Sequence, residues 1–169
     1  MLSDSDVARY LTKHIGIYPI IEKNFEGACI ELTASELAWS LSTKQKVSHG
    51  GKIVIPKHDS VLIISNETVY LDNRFAGYCI SKVSMQSFGI TSAAAPIKPG
   101  WIGKLLITLH NVSDNDFFID VGKEFAIITM HKLRHRSKKL PIQKNARTDL
   151  LSRHHIKLEE SDYDFLNDE

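Results

Sequence analysis

Little in this chain could hold it together from outside its own core. Its 169 residues include only two cysteines, Cys29 and Cys79. Two thiols cannot build a disulfide framework, and without a CxxC pair or a Cys/His cluster they do not form a zinc site. They read as two small buried side chains in a reduced compartment. No run approaches the roughly 18 apolar residues of a membrane-spanning helix. The opening MLSDSDVARYL has no apolar core of an export signal. We therefore expect a soluble, cytoplasmic protein with no membrane contact. Net charge is almost absent too, at +1, but that total hides a polarised end. Residues 132–157 carry nine Lys/Arg against one acid, Asp149, together with His154 and His155, and residues 158–169 carry six acids and no base. The basic run has no interleaved aromatics, which argues against stacking on single strands, so nucleic acid is not an expected partner.

What is present is a globular composition, 43% hydrophobic and 24% charged, in a chain long enough to bury a real core. A short helix is expected over residues 4–13, capped by Ser3 or Asp4, with Val7, Tyr10 and Leu11 on one face. Tyr18-Pro19 then forces an extended or turning segment. From Phe25 onward the period changes to two. Ala28, Ile30 and Leu32 alternate with Cys29, Glu31 and Thr33. Strands are expected at 52–56, 61–64, 68–71, 77–84, 104–111, 117–121 and 124–130, separated by Gly, Pro, Asp and Asn turns. In 104–111, Leu106, Thr108 and His110 share one face and Leu105, Ile107 and Leu109 the other. Many short, evenly spaced strands indicate a sandwich or barrel rather than a parallel sheet. A short helix over 148–156 and disorder beyond about 158 complete the reading.

Several segments, in order, resemble the dCTP deaminases and, more distantly, the trimeric dUTPases. Phe25-Glu-Gly-Ala-Cys-Ile-Glu-Leu32 looks like the first motif. Ser81-Lys-Val-Ser-Met-Gln-Ser-Phe-Gly-Ile90 looks like the second, which usually reads G-R-S-S-L-A-R-x-G-[IL]. Ile97-Lys-Pro-Gly-Trp-Ile-Gly103 looks like the third, usually I-D-P-G-[WF]-x-G, and Val121 to Ile127 resembles the fourth. The resemblance covers residues 1–133 and leaves 134–157 as a basic C-terminal extension and 158–169 as an acidic tail. It implies a mainly β, dUTPase-like distorted barrel (β-clip) with a short N-terminal helix. It also implies a homotrimer with nucleotide sites at subunit interfaces.

The resemblance further implies which residues would bind and which would react. The first arginine of the second motif corresponds to Lys82, which keeps the charge without the guanidinium fork. Ser84 and Gly89 are retained, while the other serine and the second arginine read Val83 and Ser87. Lys98 stands where the third motif carries aspartate, with its charge reversed. Pro99, Gly100, Trp101 and Gly103 are kept. Thr108 stands where a deaminase carries its water-activating glutamate, and threonine cannot hold a proton near neutral pH. Lys82, Ser84, Gly89, Ile97 and Trp101 are thus the expected nucleotide-binding set, and no catalytic residue is assigned. No metal site is expected, and Mg²⁺ would come only with a bound triphosphate. Glu31 is the one motif acid left, expected to pair with Lys98 or another cation. A shifted alignment would instead bring Asp114, Asp116 or Asp120 into the site.

Other side chains carry weaker signals. His110, beside Thr108, reads either as a base or as a half-buried polar residue. His154 and His155 are adjacent and point apart on a helix, so they do not form a metal pair. Trp101 either stacks on a base or packs under its turn, and packing is the better reading. Three functions remain. An enzyme of dCTP or dUTP requires an acid in the groove. A nucleotide-binding sensor requires a cationic groove without one. A trimeric scaffold has a groove filled by its own side chains.

Overall fold

The structure is a computed structural model and describes residues 1–140 and 145–167. Ser3 opens helix α1 (Asp4–Tyr10) through a capping box, its hydroxyl accepting the Asp6 N–H while the Asp6 carboxylate accepts that of Ser3. Strand β1 (Ile15–Tyr18) and a 3₁₀ turn at Glu22–Asn24 lead into β2 (Phe25–Glu26) and the long β3 (Cys29–Ser40). There follow β4 (Ser48–His49), β5 (Lys52–Ile55), β6 (Ser60–Leu71), β7 (Phe75–Ser81), helix α2 (Val83–Gln86), β8 (Ile90–Thr91) and β9 (Ala95–Ile97). Strands β10 (Ile102–Asn111), β11 (Phe117–Asp120) and β12 (Glu124–Lys132) close the β part, and helices α3 (Thr148–Arg153) and α4 (Glu160–Asn167) end the chain.

One curled sheet runs β8-β10-β6-β3-β12-β7-β9, with β1 added to β6 and β2 to β3, and a small sheet runs β11-β5-β4. Every pairing is antiparallel. Alternation decides what faces inward. Ile30, Leu32, Ala34 and Ala38 of β3, Val61, Ile63, Val69 and Leu71 of β6, and Leu105, Ile107 and Leu109 of β10 meet Ile53, Ile55 and Ile119 of the small sheet in the main core. The opposite face of β3, β6 and β10 carries a second cluster. There Leu37, Trp39, Leu62 and Ile64 are covered by Ala146, Leu151, Ile156 and Leu166.

The expected β-rich barrel-like fold is what forms, with three local differences. Segments 61–64 and 68–71 are one strand, β6, because the polar stretch between them is inside: Ser65 and Glu67 are 0% and 2% exposed. The strand expected to reach Ser84 stops at Ser81, whose N–H donates to the Ser92 hydroxyl at 2.8 Å and whose carbonyl accepts from the Gln86 amide at 3.0 Å. Lys82 then caps a helical turn. The tail expected to lack order beyond 158 is helical over Glu160–Asn167, because Phe165 and Leu166 have an apolar sheet face to rest on.

Glu67 sits where β3 leaves β6, with Ala34 paired to Ser65, and β1 takes over, with Tyr18 paired to Thr68. Its carboxylate accepts the Thr33 N–H at 3.0 Å and the Thr33 hydroxyl at 2.7 Å. Burial nevertheless lifts its pKa above the ordinary 4.5, against the lowering effect of the Thr33 bonds and of Lys104. A raised native value means that the stability Glu67 contributes is fully present below 4.5 and is lost as pH rises through that native value. Glu67→Ala, which leaves two buried donors unmet, is expected to cost about 1–3 kcal/mol. Glu67→Gln keeps an acceptor and should cost less. Its urea midpoint should also fall less than the wild type's between about pH 4 and pH 8. Equal pH profiles for the two proteins would rule out this role.

Candidate functional site

The third-motif turn is built by its backbone. Gly100 adopts φ +79°, and its N–H donates to the Leu71 carbonyl at 2.8 Å; the Leu71 N–H returns a bond to the Trp101 carbonyl at 2.9 Å. The turn is thereby tied to the end of β6. Trp101 is buried, and its indole N–H donates to the Gly103 carbonyl at 2.9 Å, so the ring packs beneath its own turn. From there β10 rises with Leu106, Thr108 and His110 on its outer face and Leu105, Ile107 and Leu109 in the core.

A cavity of about 420 Å³ lies against this turn. Ile97, Lys98 and Trp101 line it from the turn, Leu62, Leu106 and Thr108 from the paired strands, and buried Cys79 from β7. The last wall is α3, which supplies Arg147, Leu150 and His154. Lys98, Arg147 and His154 are basic, and among the described residues no carboxylate lines the cavity. Arg147 bonds Asp149 through Nε and Nη2, both at 3.0 Å. This pairing raises the Arg147 pKa and lowers that of Asp149, so both stay charged. Burial pushes the Cys79 thiol up to about 12, so it is no nucleophile at neutral pH. The arrangement suits an anion carried on an apolar body. Of the described lining residues, His154 is the one whose ring nitrogen suits taking a proton from water, and the lack of carboxylate oxygens among them does not fit a protein-held divalent cation.

The expected binding residues separate into two groups. Ile97 and Trp101 line the cavity; Lys82, Ser84 and Gly89 do not. Lys82 forms an ion pair with Glu31, so the surviving motif acid is matched by a cation other than Lys98. Ser84 is exposed on α2. Gly89 takes φ +79° against Ser113. Among the acids considered for a shifted alignment, Asp114 pairs with His58 at 3.1 Å, Asp116 accepts the Lys57 N–H at 2.9 Å, and Asp120 lies 3.9 Å from Lys52. All three serve the small-sheet turns, and none lines the cavity. His110 Nδ1 meets the Ser60 hydroxyl at 2.7 Å, two rungs beyond the Thr108–Leu62 pair. Among the described residues no cluster of His, Cys, Asp or Glu could hold a metal ion.

The family model described as dCTP deaminase-like matches residues 1–133. The chain belongs to the dCTP deaminase-like family. It is 29% identical over 123 residues to the dCTP deaminase of Pyrococcus horikoshii, covering 73% of this chain and 79% of that one. It is 28% identical over 128 residues to that of Thermococcus sibiricus, covering 76% and 82%. Among solved structures, the Agrobacterium tumefaciens deaminase overlays with a TM-score of 0.64 at 12% identity, covering 79% of this chain and 49% of that one. The EIAV dUTPase overlays with 0.55 at 20% identity, covering 78% and 97%. These overlays concern the fold.

The family match stops before α3, so Arg147, Leu150 and His154 come from outside the matched region. Sequence reading missed them because nothing in residues 134–169 resembles a site motif. What holds α3 in place is Asn145. Its Oδ1 accepts the Lys104 N–H at 2.7 Å, and its amide donates to the Leu166 carbonyl. Gly103, at φ +133°, leaves room for it; a Cβ there would strike the Asn145 side chain. Gly103→Ala is therefore expected to loosen the C-terminal helices while sparing the barrel. Hydrogen exchange should speed up at 145–167 and stay slow in β3, β6 and β10. Unchanged protection of 145–167 would refute the Asn145 anchor.

Proposed function

We propose that this protein binds pyrimidine deoxynucleoside triphosphates without deaminating or hydrolysing them, as a sensor or regulatory member of its family. The reading rests on one observation: the cavity at Lys98 and Thr108 is open, bordered by three basic side chains, and lacks a carboxylate among the described residues. Deamination needs a group to take a proton from water and return it to the leaving nitrogen. Neither Thr108 nor Lys98 does that, and His110 does not line the cavity; His154 is the one described lining side chain suited to it, and product analysis decides whether it acts so. A scaffold without a ligand would fill the groove, which a cavity of about 420 Å³ speaks against.

In this reading the active form is a homotrimer in the cytoplasm. Lys82, Ser84 and Gly89 lie away from the cavity of their own chain and would serve the site of a neighbouring copy. Any Mg²⁺ would arrive on the phosphates of the ligand. Within the cavity, Lys98 neutralises phosphate charge and Arg147, already paired with Asp149, adds its remaining N–H donors; Ile97 and Leu106 meet the apolar faces of sugar and base, and Thr108 offers a hydroxyl.

The test is thermal denaturation with dCTP, dUTP or dTTP, with and without Mg²⁺, followed by product analysis. At about 100 times its dissociation constant a ligand adds roughly 2.7 kcal/mol, or about 5–10 °C for a chain of this size. A shift with one nucleotide, no ammonia or diphosphate released, and a smaller shift in Lys98→Glu is the expected result. Turnover would overturn the non-catalytic reading, and the absence of any shift would overturn nucleotide binding. Sedimentation at three times the chain mass is expected in either state.

A further inference from the structure

Residues 132–139 present Lys132, Arg134, His135, Arg136, Lys138 and Lys139, all exposed. The segment is anchored. The Leu133 N–H donates to the Arg74 carbonyl at 2.7 Å and the Ser137 N–H to the Asn73 carbonyl at 2.8 Å, laying the strip along the turn between β6 and β7. Lys132 is engaged: its Nζ bonds the Tyr10 hydroxyl at 3.0 Å. Arg134, Arg136, Lys138 and Lys139 have no ion-pair partner among the described residues. The described part of the acidic end makes none of its ion pairs with them. Asp162 pairs with Lys46 at 3.2 Å, and Phe165 lies under Lys104 at 4.3 Å. Past Lys139, Leu140 rests against Gly100, so the strip runs up to the turn that bears exposed Lys98.

We propose that Arg134, Arg136, Lys138 and Lys139 form a docking strip for the phosphodiester backbone of nucleic acid, bound without regard to base sequence. Four like charges held on one short anchored stretch repel one another, and a polyanion relieves that repulsion. Between its cations the strip carries only His135 and Ser137, with no Phe, Tyr, Trp or aliphatic side chain. A protein partner would need an apolar centre in its interface, and a bilayer would need apolar side chains to enter the headgroup region. A phosphate backbone needs charge alone, because release of its condensed counterions supplies the affinity. The lack of aromatics, which counts against base stacking, does not count against phosphate contact, so duplex and single strand are both accepted.

Fluorescence anisotropy of the full chain with a labelled mixed-sequence duplex provides the test. Four phosphates at about 0.9 each give a slope of log K against log salt near −3.6, or roughly a 150-fold loss between about 50 and 200 mM salt. The double variant Arg136→Gln, Lys138→Gln should halve that slope to about −1.8, with the same melting temperature as the wild type. A second, unrelated duplex should bind equally. Neither substituted side chain lines the cavity, so the nucleotide-induced thermal shift should persist in the variant, which keeps this test separate from that of nucleotide binding. Absence of duplex binding at low salt, an unchanged slope in the double variant, or binding to anionic vesicles but not to the duplex would each overturn the proposal.

Discussion

A carboxylate that hardly meets water, that of Glu67, occupies the point on which the cavity depends. Strand β3 belongs to both halves of the curled sheet, pairing with β6 from Ala34 onward and with β12 before it. Where the halves diverge, the Thr33 N–H points at Glu67, and the side chain takes the place of a neighbouring strand. Around it Ser65 accepts the Leu105 N–H at 2.9 Å, and the Asn66 amide donates to the Ala34 carbonyl at 3.1 Å. Lys104, from β10, donates to the Asn66 carbonyl at 2.7 Å. Three strands are locked at one level, and the register of β10 against β6 shifts there, between Lys104 and Leu106. Just beyond that shift lies the outer face that carries Leu106 and Thr108. A buried charge is costly, but a network whose donors and acceptors meet fixes one arrangement of strands where an apolar cluster would tolerate several.

The same residues show where the sequence could be read and where it could not. Alternation placed Leu105, Ile107 and Leu109 inside and Thr108 outside, because period two is a property of the strand itself. It broke β6 at Ser65–Glu67 because a polar run inside a core looks like a turn until its partners are known, and those partners lie more than thirty residues away, as in the 34-residue separation of Thr33 and Glu67. The helical turn at Val83–Gln86 was hidden for a related reason. The residues favour a strand, but side chains at Gln86 and Ser92 take the Ser81 groups that would continue the ladder. The order of α4 was hidden because its composition is that of a solvated tail, and only the apolar face of the sheet gives Leu166 a place to bury.

The cavity was legible in halves. Ile97, Lys98, Trp101 and Thr108 could be named because each stands in a motif with a fixed order along the chain. Arg147 and His154 stand in none. They reach the cavity through an anchor made of Gly103, Asn145 and the Leu166 carbonyl, three positions joined only by the fold. A lone glycine in a strand gave no hint that a side chain from forty residues later fills the space above it; the bond from Lys104 to Asn145 spans 41 positions.

Charge, more than shape, is what the proposed non-catalytic reading rests on. The turn keeps its proline and glycine, the strand keeps its alternation, and Asn111 still ties the end of β10 to the Ile55 carbonyl at 2.9 Å. What differs is the sign of the field. Glu31, the one acid left in the motifs, is consumed by Lys82. Asp59, the carboxylate beside the Ser60–His110 rung, is desolvated, yet hydroxyls of Ser40 and Ser42 and nearby N–H groups outweigh that burial and hold its pKa below the ordinary range. It is therefore fixed as an acceptor that closes a turn, with little tendency to carry a proton. The positions that face the cavity read Lys98, Arg147 and His154. A site of this sign strengthens its hold on an anion as it is desolvated, and among the described lining residues it leaves His154 as the one side chain suited to take a proton from water. On the proposed reading, charge and not backbone form separates binding from turnover.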